Sequence, residues 1–135
     1  MTHQVIAQST QIKYIANLSN ASGHHWQADE PKKVGGGNTA PNPMELLLSA
    51  LGACTVITLQ MYAERKGWQL KEVNIELEFA LEAAQSGKNH INRVIRLTGE
   101  LDDAQKERLL KVAESCPVHK LLVGEISIQT ALQAL

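Results

Sequence analysis

Residues 42–66 read NPMELLLSALGACTVITLQMYAERK, and this stretch decides the fold. Asn42 has an N-cap side chain, and Pro43 suits the first helical position. Glu45, three residues after Asn42, has capping-box spacing. Arg65 and Lys66 then place cations in a last turn that Gly67 ends. The spacing predicts one helix over 42–66, roughly 35 Å long at 1.5 Å per residue. Its interior is apolar on every side, the mark of a buried helix. Ser49, Thr55 and Thr58 interrupt the run, which reads as too short to span a bilayer. A compact chain of this length has a radius of gyration of about 14 Å. One chain hardly covers such a rod, so a partner subunit is expected to finish its burial.

Around the helix, the chain of 135 residues has the length of a single domain, 1–135. It is 44% hydrophobic and 20% charged with a formal net charge of −1, so no basic excess points to nucleic acid. The first residues lack a charged segment followed by an apolar core, so no leader is expected and the cytoplasm is the default location. Two cysteines, Cys54 and Cys116, stand 62 positions apart and do not form a secreted disulfide scaffold.

Upstream, Gln11–Ala16 alternates weakly and reads as a strand, turning at 20–23 and returning over His24–Asp29. Glu30–Pro41, with Gly35, Gly36 and Gly37, reads as a loop; no Gly-Lys-Ser/Thr follows, so it is no phosphate cradle. Downstream, Val73, Ile75, Leu77, Phe79 and Leu81 alternate with polar residues, giving a strand with one buried face. A loop over 84–89 leads to a second strand, Ile91–Leu101, whose Arg93 and Arg96 are placed to meet the glutamates of the first. Asp102 or Asp103 caps a helix to about Glu114. Pro117 opens a short helix ending near Gly124, and Glu125–Thr130 reads as a final strand. The expected order is β-β-α-β-β-α-β, an α+β domain wrapped on a long buried central helix.

Cys54 shares a helical face with Leu47, Ala50, Leu51, Thr58 and Met61, and such a thiol is commonly plain packing. Cys116 precedes Pro117 at a helix start, where N–H groups stabilise a thiolate, and His119 lies within the same turn to add positive charge. Three readings of the pair stand side by side. They are a redox couple, a zinc site with His119 and a further ligand, and two inert thiols.

The run from Gly35 through Asn42-Pro43-Met44-Glu45 to Cys54, with Ser115-Cys116-Pro117-Val118, resembles the glycine loop, proline turn and two cysteine motifs of the OsmC/Ohr family. That resemblance implies an intertwined homodimer with two central helices packed together, acting as a thiol peroxidase on organic hydroperoxides without metal or cofactor. It implies Cys54 as the peroxidatic thiolate, Cys116 as the resolving thiol, Glu45 as a further catalytic residue and an external dithiol as reductant. Met44, Leu51 and Thr58 would line the substrate side. Two departures stand out. The peroxidase branches carry glutamate directly after the proline, where this chain has Met44. They also carry an N-terminal arginine beside the thiolate, whereas the first arginine here is Arg65. Lys13, Lys32, Lys33, His24 and His25 are the cations available in its place. The departures favour an OsmC-like branch with Pro-Met-Glu. The alternative function is a non-peroxidase dimer binding a small apolar or electrophilic ligand.

Overall fold

A computed structural model describes residues 3–80 and 89–134. Two compact units divide the chain, Met1–Ser49 and Ala50–Leu135.

The first unit holds an antiparallel sheet in the order β1-β2-β3, with β1 Ile6–Ser9, β2 Ala16–Ser19 and β3 His25–Ala28. The β2–β3 hairpin matches the sequence reading, but its first strand lies further along than expected. Most of Gln11–Ala16 is a turn instead: Thr10 Oγ1 accepts the Ile12 N–H at 3.1 Å, the Ile15 N–H donates to the Ile12 carbonyl, and Tyr14 takes φ 70°. Local side-chain hydrogen bonding outcompetes a weak alternation there. β1 has no counterpart in the sequence reading, since four exposed residues carry no buried face to detect.

The glycine loop closes on one carboxylate. Asp29 is buried and accepts from the Glu30 N–H (2.7 Å), the Thr39 N–H (3.0 Å) and the Thr39 hydroxyl (2.7 Å). A 3-10 turn, Lys32–Val34, fills the loop. At Gly36 a Cβ would collide with the Glu30 carbonyl, so no other residue fits.

α1 spans Pro43–Lys66 and both of its ends form as read. The Asn42 N–H donates to Glu45 Oε1 at 3.0 Å and the Glu45 N–H to Asn42 Oδ1 at 2.9 Å, a complete capping box. Gly67 takes φ 69°, its N–H donating to the Glu64 carbonyl and the Trp68 N–H to that of Ala63, a Schellman end. The reading of the run as too short to span a bilayer is corrected. Its 24 residues include a window of mean hydropathy 1.7, long and apolar enough by length and composition to cross a membrane. Within the chain α1 buries one stripe, Leu51, Thr55, Leu59 and Ala63, one residue per turn.

In the second unit β4 (Gln69–Phe79) and β5 (Ile91–Glu100) pair antiparallel, Leu77 facing Arg93 and Asn74 facing Arg96. Leu81 and most of the expected 84–89 loop lie outside the described residues. α2 (Asp103–Ala113) starts at Asp102, which forms a second capping box with Gln105, and α3 is Pro117–Val123. Leu59, Leu109, Val112 and Ala113 form the core, flanked by Trp68, Leu70, Val73, Ile95 and Leu97. The expected final strand is not formed. Residues 125–130 are exposed and carry no strand pairing, Ile128 being 84% accessible. Its alternation is real, but a strand requires a ladder partner and it has none among the described residues.

Asp29 yields a prediction for acid stability. Its carboxyl is drawn down from the usual 3.8 to about 2, first by the Thr39 N–H and then by the Thr39 hydroxyl and the Glu30 N–H. A carboxyl that is more acidic in the folded state stabilises fully above about pH 4, and that contribution fades as pH falls towards 2. Urea midpoints from pH 5 to 2 should therefore fall less steeply for Asp29→Asn than for the parent, from a lower starting value. Parallel curves would exclude this role.

Candidate functional site

The two cysteines lie near each other. Both are free, and the Cys54 thiol is near enough to act on the titration of Cys116. Cys54 sits in the middle of α1 and is half-buried; Cys116 is the N-cap of α3 and fully buried. Cys116 Sγ accepts the His119 N–H at 3.2 Å, the capping bond that its position before Pro117 foretells.

That cap does not make Cys116 acidic, contrary to the sequence reading. Burial pushes its thiol up, and the neighbouring Cys54 pushes it further; the His119 and Val118 N–H groups oppose this and lose. Cys116 thus keeps its proton to higher pH than an ordinary thiol.

A cation that the sequence reading placed elsewhere completes the cluster. Arg93 does not reach the glutamates of β4. Its guanidinium donates to Thr55 Oγ1 at 3.1 Å and to His119 Nδ1 at 3.0 Å. Arg96 alone makes the expected pair, with Glu76 at 3.1 Å. The reason is strand geometry, because residues three apart point to opposite faces. Arg93 lies on the inward face with Ile91, Ile95 and Leu97. Thr55 is fully buried, donates its own hydroxyl to the Leu51 carbonyl at 2.6 Å, and so has a lone pair for Arg93. A guanidinium only donates, so Nδ1 of His119 accepts and the ring is the neutral tautomer in this arrangement. The positive charge expected of His119 is supplied here by Arg93.

The remaining residues fall in different places. Leu51 is buried on α1, and Thr58, one turn beyond Cys54, is half-buried. Met44 is exposed beside the cap, and Glu45 gives its carboxylate to the Asn42 N–H; both belong to the first unit. In that unit the Lys13 ammonium lies 4.7 Å from the centre of the Tyr14 ring. Among the described residues no group of three or more His, Cys, Asp or Glu is arranged to hold a metal ion.

An α+β fold with a long cysteine-bearing helix and a second cysteine capping a short one defines a class of two-thiol proteins. The chain matches the OsmC-like protein family over residues 35–131 and belongs to it. It is 31% identical over 107 residues to the uncharacterized protein YmaD of Bacillus subtilis (strain 168), spanning 73% of this chain and 71% of that one. An OsmC-like protein from Mycoplasma pneumoniae shares the fold with a TM-score of 0.75 at 19% identity, over 92% of this chain and 89% of that one. An organic hydroperoxide resistance protein OsmC from Legionella pneumophila does so with a TM-score of 0.67 at 20% identity, over 92% and 90%. OhrB of Bacillus subtilis, also an organic hydroperoxide resistance protein, gives a TM-score of 0.62 at 20% identity, over 92% of each.

Two predictions follow from the geometry. Iodoacetamide at pH 7.5 should label Cys54 at least about tenfold faster than Cys116, read by peptide mass, because a buried thiol that keeps its proton is a poor nucleophile. Equal rates would contradict the assignment. Arg93→Met keeps the aliphatic stem but removes both hydrogen bonds, and should cost about 1.5–3 kcal/mol in urea unfolding. Arg96→Met, at an exposed ion pair, should cost at most about 1 kcal/mol.

Proposed function

We propose that this protein is a thiol peroxidase that reduces organic hydroperoxides. The observation that carries the reading is the nearness of Cys54 to Cys116, thiols 62 positions apart in sequence. Their asymmetry supports the division of labour: Cys54 is the more accessible, and Cys116 is buried with its thiol pushed up in pKa. The names of the Legionella and Bacillus proteins with this fold point the same way.

In this mechanism the Cys54 thiolate attacks the hydroperoxide oxygen farther from carbon. The O–O bond breaks, the alkoxide leaves and takes up a proton as the alcohol, and Cys54 becomes a sulfenic acid. The Cys116 sulfur then attacks the Cys54 sulfur. Its proton departs with the displaced hydroxide as water, and a disulfide forms. An external dithiol returns two electrons. Arg93 acts one residue removed on each side, holding Thr55 beside Cys54 and His119 above Cys116. Glu45 serves as the cap of α1 in this scheme. The cytoplasm, where resting thiols stay reduced, suits the cycle.

The functional unit in this reading is a homodimer. Leu47, Ala50, Cys54, Ile57 and Met61 follow one another at spacings of three and four along α1, and all but Cys54 are exposed. That is the seam a second helix packs against. The exposed Ile126 and Ile128 offer a strand to a second copy's sheet.

Purified protein with dithiothreitol should consume cumene hydroperoxide, and Cys54→Ser should abolish this. Cys116→Ser should retain one turnover and then accumulate sulfinic acid, seen as a gain of two oxygens by mass. Light scattering on the same sample should give about twice 14.8 kDa. Consumption no faster than that of Cys54→Ser would defeat the reading.

A further inference from the structure

Beside the thiol pair lies a cleft of about 280 Å³, formed by Thr58, Tyr62 and Arg65 of α1, Arg108, Lys111 and Val112 of α2, and Ser115. Three of its residues are cations and none is a carboxylate. The chain as a whole has a net charge of −1, so this concentration is local. Among the described residues the ion pair within 4.0 Å is that of Arg96 with Glu76; Arg65, Arg108 and Lys111 have no such partner there.

The arrangement has the parts of a carboxylate site. Arg108 donates from Nε to Tyr62 Oη at 3.0 Å. The structure records no bond from its two terminal amino groups to a described residue, and those groups are the fork that carboxylates bind in bidentate fashion. Because Tyr62 Oη accepts from Arg108, its own proton is available to an incoming oxygen. Arg108 and Lys66 lie 5.6 and 5.7 Å from the centre of the Tyr62 ring, which keeps positive charge around it. The Tyr62 hydroxyl is correspondingly more acidic than an ordinary tyrosine, chiefly through the Arg108 bond. Val112 and the Tyr62 ring supply an apolar wall. The volume lies just under the usual range for drug-sized ligands and suits a short-chain acid.

Its position ties it to the thiols. Thr58 is one helical turn beyond Cys54, roughly 6 Å along the axis, and Ser115 directly precedes Cys116. Each wall of the cleft therefore includes a residue close in the chain to one of the two cysteines. A carboxylate held between Arg108 and Lys111 places the other end of a short chain towards the pair.

We propose that this cleft binds the carboxylate of a small organic molecule that reacts with the Cys54–Cys116 pair. In the peroxidase reading, on which its catalytic meaning rests, that molecule is a carboxylate-bearing hydroperoxide or a carboxylate-bearing dithiol reductant. Binding itself does not depend on that reading.

Two measurements on the full-length reduced protein test this separately. Calorimetric titration with hexanoate should show saturable binding that weakens as salt rises. Arg108→Gln and Lys111→Gln should each weaken it about tenfold, whereas Cys54→Ser should still bind and hexanamide should not. Arg108→Lys, which keeps the charge without the fork, should fall between. No saturable hexanoate binding, or binding unchanged in both glutamine variants, overturns the proposal even if the protein is an active peroxidase. An inactive protein that still binds hexanoate in this way sinks the peroxidase reading and leaves the cleft standing. In turnover, the kcat/KM ratio of 6-hydroperoxyhexanoate to tert-butyl hydroperoxide should drop about tenfold in Arg108→Gln if the oxidant carries the carboxylate. If the reductant carries it, the drop should instead appear in the ratio of a carboxylated dithiol to dithiothreitol. In an active enzyme, neither ratio moving overturns the proposal.

Discussion

The two helices that carry the cysteines are tied together by one part-buried cation. Arg93 reaches inward from β5 and joins Thr55 of α1 to His119 of α3. A guanidinium placed among aliphatic residues loses hydration, and this one is compensated by a hydroxyl and an imidazole rather than by a carboxylate. Its charge is therefore not cancelled locally. The side chain is at once a strut and a source of field.

The two roles of the helix Pro43–Lys66 follow from its composition. A rod apolar on all sides has no preferred inward face, so the chain's own core takes one stripe and leaves another. The buried stripe is Leu51, Thr55, Leu59 and Ala63, and the uncovered one includes Ile57 and Met61. Cys54 lies between the two regimes, covered enough to be held in place and open enough to be approached. Its polar neighbour Thr55 sits on the buried stripe, which is how the interior arginine comes so close.

Much of this was legible in the sequence, and the parts that were not share a physical cause. The ends of α1 and α2 are set by side chains three residues from the groups they bond, so Asn42, Glu45, Asp102 and Gln105 announced them locally. β4 and β5 announced themselves through period-two alternation. β1 carried no such pattern, and the residues expected as the first strand lost to the turn at Thr10 and Ile12. The C-terminal segment alternates but finds no ladder among the described residues. Arg93 was readable and was misread: its odd spacing from Arg96 already required opposite faces. The nearness of Cys54 to Cys116 was not readable from spacing at all, because only the folded backbone brings together residues 62 positions apart. The family resemblance, not the pattern, pointed to it.

The order in which these parts leave the ribosome adds a consequence. The strands of the first unit pair within a short span of chain, Ile6 to Ala28, and are complete early. The thiol cluster needs Cys54, Arg93, Cys116 and His119 together. At bacterial and eukaryotic elongation speeds of about 5–20 residues per second, Cys116 follows Cys54 by roughly 3–12 s. For that interval the first thiol exists without its sulfur partner, and for the first 39 residues of it without Arg93 as well. The nascent chain therefore carries Cys54 without its folded surroundings, and the cluster is complete only once α3 has been made.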